Sequence, residues 1–215
     1  MIRVSAFIDG FNVYHAVDDL GKPHLKWLDL KKVLHSFIDP NRHTLAAVYY
    51  FSAYATWLPD AYLRHQAYVK ALEWSGVKPI MGAFKAKDRG CNRCGAGWTA
   101  HEEKESDVNI ALYMLRGAAR NEYDEAFLVT GDSDLAPAVK MIKIDFPAKR
   151  IKVIVPPGRR RSKELFLLAQ KEARIKEVHL ERALFPPIIS DAAGNVIATR
   201  PTDYDPPAPP ARHPS

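Results

Sequence analysis

The sequence is short of cysteine and has no long hydrophobic segment. Its 215 residues include two cysteines, Cys91 and Cys94, too few for the disulfide framework of a small secreted protein. No apolar run approaches the roughly 20 residues that a membrane-spanning helix needs. The chain leads from Met1 directly into a strand-like apolar run rather than into a signal peptide. We therefore expect a cytoplasmic protein that has no membrane partner.

The remaining composition is that of a globular protein with an excess of positive charge. Hydrophobic residues make up 47% and charged residues 26% of the chain, and the net charge is +6. Basic residues gather around 85–93 and again at 159–163. A basic protein favours a polyanionic partner such as nucleic acid, although basic residues at these two places are also typical of solvated loops.

Apolar runs that read as strands alternate with segments of helical periodicity along most of the chain. The sequence predicts strands at 4–8, 45–51, 78–84, 125–130, 151–155 and 175–180. It predicts helices at 28–38, 59–74, 104–120, 135–144 and 162–170, with Ser162 as the N-cap of the last one. This alternation is typical of an α/β fold in which a mostly parallel sheet lies between two layers of helices.

Two segments fall outside this alternation. Residues 85–101 are polar, contain both cysteines, and are predicted to form a loop or hairpin that leaves the sheet. We place the main domain at 1–184 and a C-terminal extension at 185–215. In that extension we predict a hairpin around 191–195, followed by a proline-rich tail from 201 to 215 that is disordered or loosely docked.

Acidic residues stand where the predicted strands end. Asp9 follows the first strand, Asp132 and Asp134 follow the strand at 125–130, and Asp107 lies in the first turn of the helix at 104–120. Because parallel strands open their ligand crevice at the carboxyl edge of the sheet, these side chains should converge. Carboxylates that are crowded together need a cation, and oxygen ligands favour Mg²⁺ or Mn²⁺.

Three motifs resemble those of the NYN domain family of PIN-like ribonucleases. They are Ile-Asp-Gly-Phe-Asn at 8–12, Glu-Lys-Glu-Ser-Asp-Val at 103–108, and Val-Thr-Gly-Asp-Ser-Asp-Leu-Ala-Pro at 129–137. The resemblance extends over about residues 3–180. It implies a PIN-like sheet and metal-dependent hydrolysis of RNA, single-stranded or looped. By this resemblance the metal ligands are Asp9, Asp107, Asp132 and Asp134, while Asn12 and Lys104 complete the catalytic set.

Candidate substrate-binding residues surround these acids. Asn12 and Lys104 would contact phosphate, and the backbone N–H groups around Thr130 and Ser133 lie at a strand-to-helix turn, where anions bind. Each residue also has a structural interpretation. Asp134 is suited to capping a helix that begins at residue 135, Asp107 to complementing the helix dipole, Asn12 to holding a turn, and Lys104 to a solvated helix start.

The Cys-Xaa-Xaa-Cys spacing of Cys91 and Cys94 is that of half a zinc site. His101 is the third candidate ligand, and the fourth would come from Glu102, from another loop or from a second protomer. Two inert thiols are the competing interpretation. A redox pair is less well supported, because glycines follow Cys94 where a redox motif would begin a helix. The 85–101 segment is also our candidate contact for a homodimer.

Two other functions compete with RNA cleavage. Haloacid-dehalogenase-like phosphatases also place an aspartate after the first strand, but they carry a second acid two residues later, where this chain has Phe11. An RNA-binding scaffold that does not cleave would use the basic segments equally well. The four aspartates argue against a pure binder, since such a protein gains nothing from negative charge facing phosphate.

Overall fold

A computed structural model describes residues 1–207 of the chain. Its strands are β1 (Ile2–Asp9), β2 (His43–Ser52), β3 (Lys78–Met81), β4 (Ala83–Gly90), β5 (Gly97–Lys104), β6 (Glu125–Val129), β7 (Arg150–Val155), β8 (Lys171–Arg174), β9 (Ile188–Ser190) and β10 (Val196–Thr199). Its α-helices are α1 (Gly10–Asp18), α2 (Leu30–His35), α3 (Pro59–Trp74), α4 (Ser106–Ala119), α5 (Ala136–Asp145), α6 (Lys163–Leu168) and α7 (Glu177–Glu181). Short 3₁₀ turns lie at Pro23–Lys26 and Thr202–Tyr204.

The central sheet has six strands in the order β3-β2-β1-β6-β7-β8, and every pairing is parallel. The chain winds outward from β1 through β2 to β3, then returns to the other side of β1 to form β6. The strand order therefore reverses between β1 and β6. Open α/β sheets bind their ligands in the crevice at such a reversal.

Helices cover both faces of the sheet, as the sequence predicts. Alternate side chains of β1 point to opposite faces of the sheet. Ile8 packs into the apolar cluster formed with helices α1, α2, α3 and α7. Phe7 packs into the cluster formed with α4, α5 and α6. A strand that is buried on both faces has no polar side, which explains the continuous apolar run at 4–8. The three-layer α/β/α prediction is confirmed.

Several helices begin at side chains that accept a hydrogen bond from the first turn. The carboxylate of Asp9 accepts from the N–H of Asn12 (3.0 Å), and the hydroxyl of Ser162 accepts from the N–H of Leu165 (3.2 Å). The predicted N-cap Ser162 is therefore confirmed. These contacts satisfy N–H groups that have no partner within the helix.

The predicted strand at 78–84 is wrong at its C-terminal end. Strand β3 ends at Met81, and β4 begins at Ala83 in a separate two-stranded antiparallel hairpin with β5. Gly82 makes the break: its N–H donates to the carbonyl of Ser52 (2.7 Å), and a Cβ at this position would lie 2.7 Å from the carbonyl oxygen of Lys104. The polar segment at 85–101 is thus the outer part of this hairpin.

Two other predicted elements are corrected. Helix α4 begins at Ser106 rather than at 104, because Lys104 is still paired with Ala83 as the last residue of β5. Residues 175–180 were predicted as a strand, but helix α7 covers 177–181. The last strand of the sheet is β8, whose sequence Lys-Glu-Ala-Arg lacks the apolar pattern of a buried strand because it lies at the sheet edge.

The C-terminal extension packs against the domain. Strands β9 and β10 form an antiparallel hairpin, and the carboxylate of Asp191 accepts hydrogen bonds within its turn. Ile189, Ala198 and Tyr204 are buried in the same apolar cluster as α1 and α3. The prediction of a disordered tail is therefore wrong as far as residue 207, and residues 208–215 lie outside the described part. No helix within 1–207 is long and apolar enough to cross a membrane.

Candidate active site

Asp9 lies at the carboxyl end of β1, next to the reversal of strand order, and is 6% exposed. Its two carboxylate oxygens accept hydrogen bonds from the N–H of Asn12 (3.0 Å) and from the hydroxyl of Thr130 (3.0 Å). Burial raises the pKa of Asp9, and these hydrogen bonds oppose the rise, to which the negative charges of Asp132 and Glu103 add. The carboxylate is thus held in one orientation, at an energetic cost that a cation would relieve.

A short network joins the end of β1 to the turn after β6. The side-chain oxygen of Asn12 accepts from the N–H of Gly131 (2.9 Å), and the hydroxyl of Thr130 accepts from the N–H of Asp132 (3.1 Å). Thr130 is fully buried, so its hydroxyl positions Asp9 and Asp132 and has no access to substrate. Asn12, which is half-buried, stays at the edge of the cleft.

Asp107, in the first turn of α4, faces the same cleft. Burial, and after it the negative charges of Asp9, Asp132, Glu103 and Asp134 in that order, raise the pKa of Asp107 from 3.8 to about 6. Charges shift a pKa this way only when they are close together. The acidic side chains of β1, α4 and the β6–α5 turn therefore lie close together, and their mutual repulsion contributes to the raised pKa of Asp107.

The acidic cleft has a volume of about 260 Å³. It is lined by Asp9, Phe11, Asn12, His15, Glu103, Ser106, Asp107, Asp132 and Arg159. Its opening at the sheet edge and its acidic lining suit a small hydrated cation together with part of a polar substrate.

Four of the predicted catalytic and substrate-binding residues do not line the cleft, and one of them is the buried Thr130 described above. Lys104 is exposed and pairs with Glu102 (3.1 Å), because alternation along β5 turns it away from the cleft. Ser133 and Asp134 are exposed at the turn after β6. Asp134 does not cap α5, which has no side-chain cap; its N–H donates to Asp132 (3.1 Å), and its charge still reaches Asp107.

Five residues of the cleft were not among the predicted site residues: Phe11, His15, Glu103, Ser106 and Arg159. Glu103 accepts a hydrogen bond from the N–H of Ser106 (3.1 Å) and thereby caps α4. The Ser106 hydroxyl is 4% exposed and has no hydrogen-bond partner within the described residues. The sequence could have indicated Glu103 only if 97–104 had been recognised as a strand. Alternation along that strand turns Glu103 to the side opposite to Lys104.

The chemistry of the cleft fits a divalent cation, although its side chains are not arranged as a finished coordination sphere. Within residues 1–207 no group of three His, Cys, Asp or Glu side chains stands ready to hold a metal ion. Asp9, Asp107 and Asp132 nevertheless repel one another in one small cleft. Carboxylate oxygens are the ligands that Mg²⁺ and Mn²⁺ prefer, and these two ions keep several waters of their own.

A basic segment borders the cleft beside the turn after β6. Arg159 lines the cleft and pairs with Asp19 (3.0 Å), and a Cβ at Gly131 would lie 3.3 Å from the carbonyl oxygen of Arg160. The positively charged segment at 159–163 therefore lies against the turn that carries Asp132. Such an arrangement suits a polyanionic strand laid across the cleft.

The candidate zinc ligands do not come together as a set of three. Cys91 and Cys94 lie in the turn of the β4–β5 hairpin, with Cys94 exposed and neither in a disulfide. His101 pairs with Ala86, four residue pairs away from the Gly90–Gly97 pair that precedes the turn. Its ring stacks on that of Trp57, with the ring centroids 3.7 Å apart. Hydrogen bonds from the backbone N–H groups of Arg93 and Cys94 lower the pKa of the Cys91 thiol.

A second, largely apolar cavity of about 540 Å³ adjoins the acidic cleft and shares Phe11, His15 and Glu103 with it. Its aromatic lining includes Phe11, Tyr14, Tyr50, His65, Tyr68, Phe84 and Tyr204. Burial lowers the pKa of His65 to about 4, so the ring is neutral and offers one donor and one acceptor. The cavity is therefore suited to a flat ring with polar atoms at its edge.

The parallel three-layer fold, with an acidic cleft where the strand order reverses, is that of the PIN-like nucleases. The model of the NYN domain matches residues 3–172, and the chain belongs to this family. HspA of Pseudomonas putida, a 6-hydroxy-3-succinoylpyridine 3-monooxygenase, is similar at 29% identity over 83% of this chain and 67% of its own length. The crystal structure of a protein of unknown function from Vibrio parahaemolyticus is similar in fold, with a TM-score of 0.59 and 18% identity over 86% of this chain and 96% of that one.

Proposed function

We propose that the protein is a Mg²⁺- or Mn²⁺-dependent endoribonuclease. The observation that carries the proposal is the convergence of Asp9, Asp107 and Asp132 in one cleft of a NYN domain. The mutual repulsion of these carboxylates has no evident structural benefit, because a fold selected for stability alone would not crowd acids. A cation-binding role accounts for it.

In this proposal Asp9, Asp107 and Asp132 hold the cation, and Glu103 contributes charge beside them. A bound divalent ion would polarise the scissile phosphate and lower the pKa of an attacking water. Thr130 and Asn12 hold the carboxylate of Asp9 in a fixed orientation, and they also accept hydrogen bonds from the backbone N–H groups of Asp132 and Gly131 in the turn that carries Asp132. This fixed orientation spares the reaction the cost of rearranging charge.

The basic segment at 159–163 would hold the RNA backbone, with Arg159 the member that already lines the cleft. Its cationic side chains supply attraction that is independent of sequence and sensitive to salt. Lys104 has no role in this arrangement, since it points away.

The test is cleavage of end-labelled single-stranded RNA by purified protein with Mn²⁺, with Mg²⁺ and with EDTA. We expect cutting with either metal and none with EDTA. Asp132→Asn should lower the cleavage rate about 100-fold or more, because it removes a ligand charge. Asp145→Asn, at an exposed position at the end of α5, is the matched control and should cleave normally. Metal binding without cleavage of any RNA would instead favour an RNA-binding scaffold.

A second candidate function is the binding and turnover of a free heteroaromatic compound. It is favoured by the 540 Å³ aromatic cavity beside the acidic cleft and by the similarity to HspA, whose name assigns it a pyridine substrate. Titration with 6-hydroxy-3-succinoylpyridine, followed by tryptophan fluorescence, tests this candidate. Trp57 is a suitable reporter because it contacts Phe84 and His101 of the cavity wall.

The matched variants for this titration are Ala61→Leu and Ala119→Leu. Ala61 lines the cavity, so a larger side chain there should abolish binding. Ala119 is exposed at the end of α4, and its replacement should leave binding unchanged. Absence of saturable binding to wild-type protein would reject a pyridine of this kind as ligand without touching the ribonuclease proposal.

A further inference from the structure

The tip of the β4–β5 hairpin is folded tightly around its two cysteines. The N–H of Cys91 donates to the carbonyl of Ala96 (2.8 Å), and the N–H of Gly95 donates to the carbonyl of Cys91 (2.9 Å). Gly95 has a φ of +72°, a conformation that glycine adopts without strain. The turn thus brings Cys91 and Cys94 to one side of a rigid loop.

The spacing of the two cysteines matches that of a metal-binding turn. Cys91 and Cys94 are separated by two residues within the turn that the N–H of Gly95 closes on the carbonyl of Cys91, and this is the Cys-Xaa-Xaa-Cys spacing of half a zinc site. Thiolate ligands select zinc among the common divalent ions.

One chain supplies two ligands of the four that tetrahedral zinc requires. Within residues 1–207 there is no group of three metal-binding side chains, and the whole sequence contains no other cysteine. His101 is four residue pairs, or about 14 Å, from the tip and is stacked on Trp57. Glu102 is engaged by Arg89 and Lys104.

We propose that Cys91 and Cys94 form half of a zinc site, which the same two cysteines of a second copy of this chain complete. A two-fold axis through the metal gives each copy the same role, which is the usual symmetry of a protein dimer. The hairpin tip suits this arrangement because residues 92–99 are exposed, so a second tip can approach. Trp98, 52% exposed beside the turn, offers apolar surface for the approaching copy to cover.

The charge around the tip fits the site. Four thiolates on one zinc ion carry two net negative charges, and Lys87, Arg89 and Arg93 of each copy lie on or next to the turn. Without the metal these side chains would keep two tips apart. With it they would surround an anionic centre, so assembly is expected to depend on zinc.

The proposal is independent of RNA cleavage, because the tip and the acidic cleft share no residue. Its test uses the full chain, purified under reducing conditions, loaded with Zn²⁺ and gel-filtered. Zinc content and light-scattering mass are then measured. We expect about 0.5 zinc per chain in a dimer, and a zinc-free monomer after EDTA treatment. One zinc per chain in a monomer, a dimer that survives EDTA, or the absence of bound zinc would each overturn the proposal.

Variants at the tip sharpen the test. Cys91→Ser and Cys94→Ser should each remove zinc and give monomers, while Asn92→Ser, between the two cysteines and exposed, should behave as wild type. His101→Ala should retain zinc, and a loss of zinc there would contradict the proposed ligand set. Circular dichroism melting verifies that the variants fold, which the exposure of the tip leads us to expect.

Discussion

Asp107 carries a charge that the metal-free cleft disfavours. Its pKa is raised from 3.8 to about 6 by burial and by neighbouring carboxylates. A carboxyl group whose pKa is higher in the folded than in the unfolded chain destabilises the fold once it ionises. The penalty begins as pH rises through 3.8 and is fully developed above about 6.

Replacing this carboxylate should therefore stabilise the metal-free protein. We expect Asp107→Asn to raise the free energy of unfolding at pH 8 by about 1 kcal/mol, a value reduced from the full shift because the side chain is half exposed. For a chain of this size that is a rise in Tm of about 2–4 °C. Melting in EDTA at pH 8 measures it, and the gain should vanish near pH 4.

The same variant should lose the stabilisation that Mn²⁺ gives to wild-type protein, since it removes one of the ligands. Asp145→Asn should show neither effect. A lower Tm for metal-free Asp107→Asn at pH 8 would mean that Asp107 serves the fold rather than a cation.

Thr130 is expected to act through its neighbours. Thr130→Val keeps the shape of the side chain but removes the hydroxyl that joins Asp9 to the N–H of Asp132. We expect a loss of about 1–2 kcal/mol in stability and a 10- to 100-fold fall in RNA cleavage. Thr130→Ser, which restores the hydroxyl, should recover most of both, whereas equal damage from the two changes would indicate a packing role alone.

At the scale of elements, strand β5 decides which side chains reach the cleft. Successive residues of a strand point to opposite sides, so Glu103 faces Asp107 while Glu102 and Lys104 pair with each other outside. The sequence analysis assigned Lys104 to the site by resemblance to the family motif and placed it at the start of a helix rather than on a strand. The error arose because the hairpin strands are exposed and polar and carry no apolar alternation.

Two substitutions on β5 test which of its side chains act in the cleft. Glu103→Gln keeps an oxygen for the N–H of Ser106 and removes the charge, so RNA cleavage should fall at least about 10-fold with little change in Tm. Glu102→Gln removes an exposed carboxylate paired with Arg89 and Lys104, and it should cost under about 1 kcal/mol and leave cleavage intact. Cleavage rates and melts of both variants give the comparison, and a larger catalytic loss for Glu102→Gln would reverse the assignment.

The elements that the sequence predicts well are those buried on both sides. Strands β1, β6 and β7 are apolar in sequence because helices cover both faces of the sheet. Once the ends of β1 and β6 were located, the positions of the acidic residues there could be predicted too. Strand β8 and helix α7 were missed because the first is a polar edge strand and the second is a short helix at a chain reversal. Their positions depend on long-range contacts, such as the N–H of Ile175 with the carbonyl of Val155 (2.9 Å).

At the scale of the molecule, the segment from 185 to Tyr204 packs into the core of the domain rather than forming a separate tail. Tyr204 is 8% exposed, the indole N–H of Trp27 donates to the carbonyl of Pro186 (2.8 Å), and Arg64 pairs with Asp203 (2.7 Å). A proline-rich composition predicted disorder because it offers few apolar side chains. Here a small number of apolar residues fill a gap that α1 and α3 leave open.

A truncation measures this contribution. A chain ending at Pro187 loses Ile189, Ala198 and Tyr204 from the core, and we expect it to lose on the order of 4 kcal/mol or more of stability, a fall in Tm of about 10 °C or more. A chain ending at Pro207 is the control and should melt like the full protein. Equal melting temperatures for the two truncations would show that the extension is dispensable.

Strand β5 runs without interruption from the cysteine turn through Glu103 to Lys104, and the next residue, Glu105, at φ 81°, turns the chain into α4. Left-handed backbone at a residue other than glycine is strained and persists only where its surroundings hold it. If the tip of the hairpin is held in place, the junction at Glu105 has less conformational freedom to begin with. Less entropy is then lost when Glu103 and Asp107 are brought together in the cleft. A ligand at the cysteine turn would therefore act on the acidic cleft as an entropic restraint, without touching it.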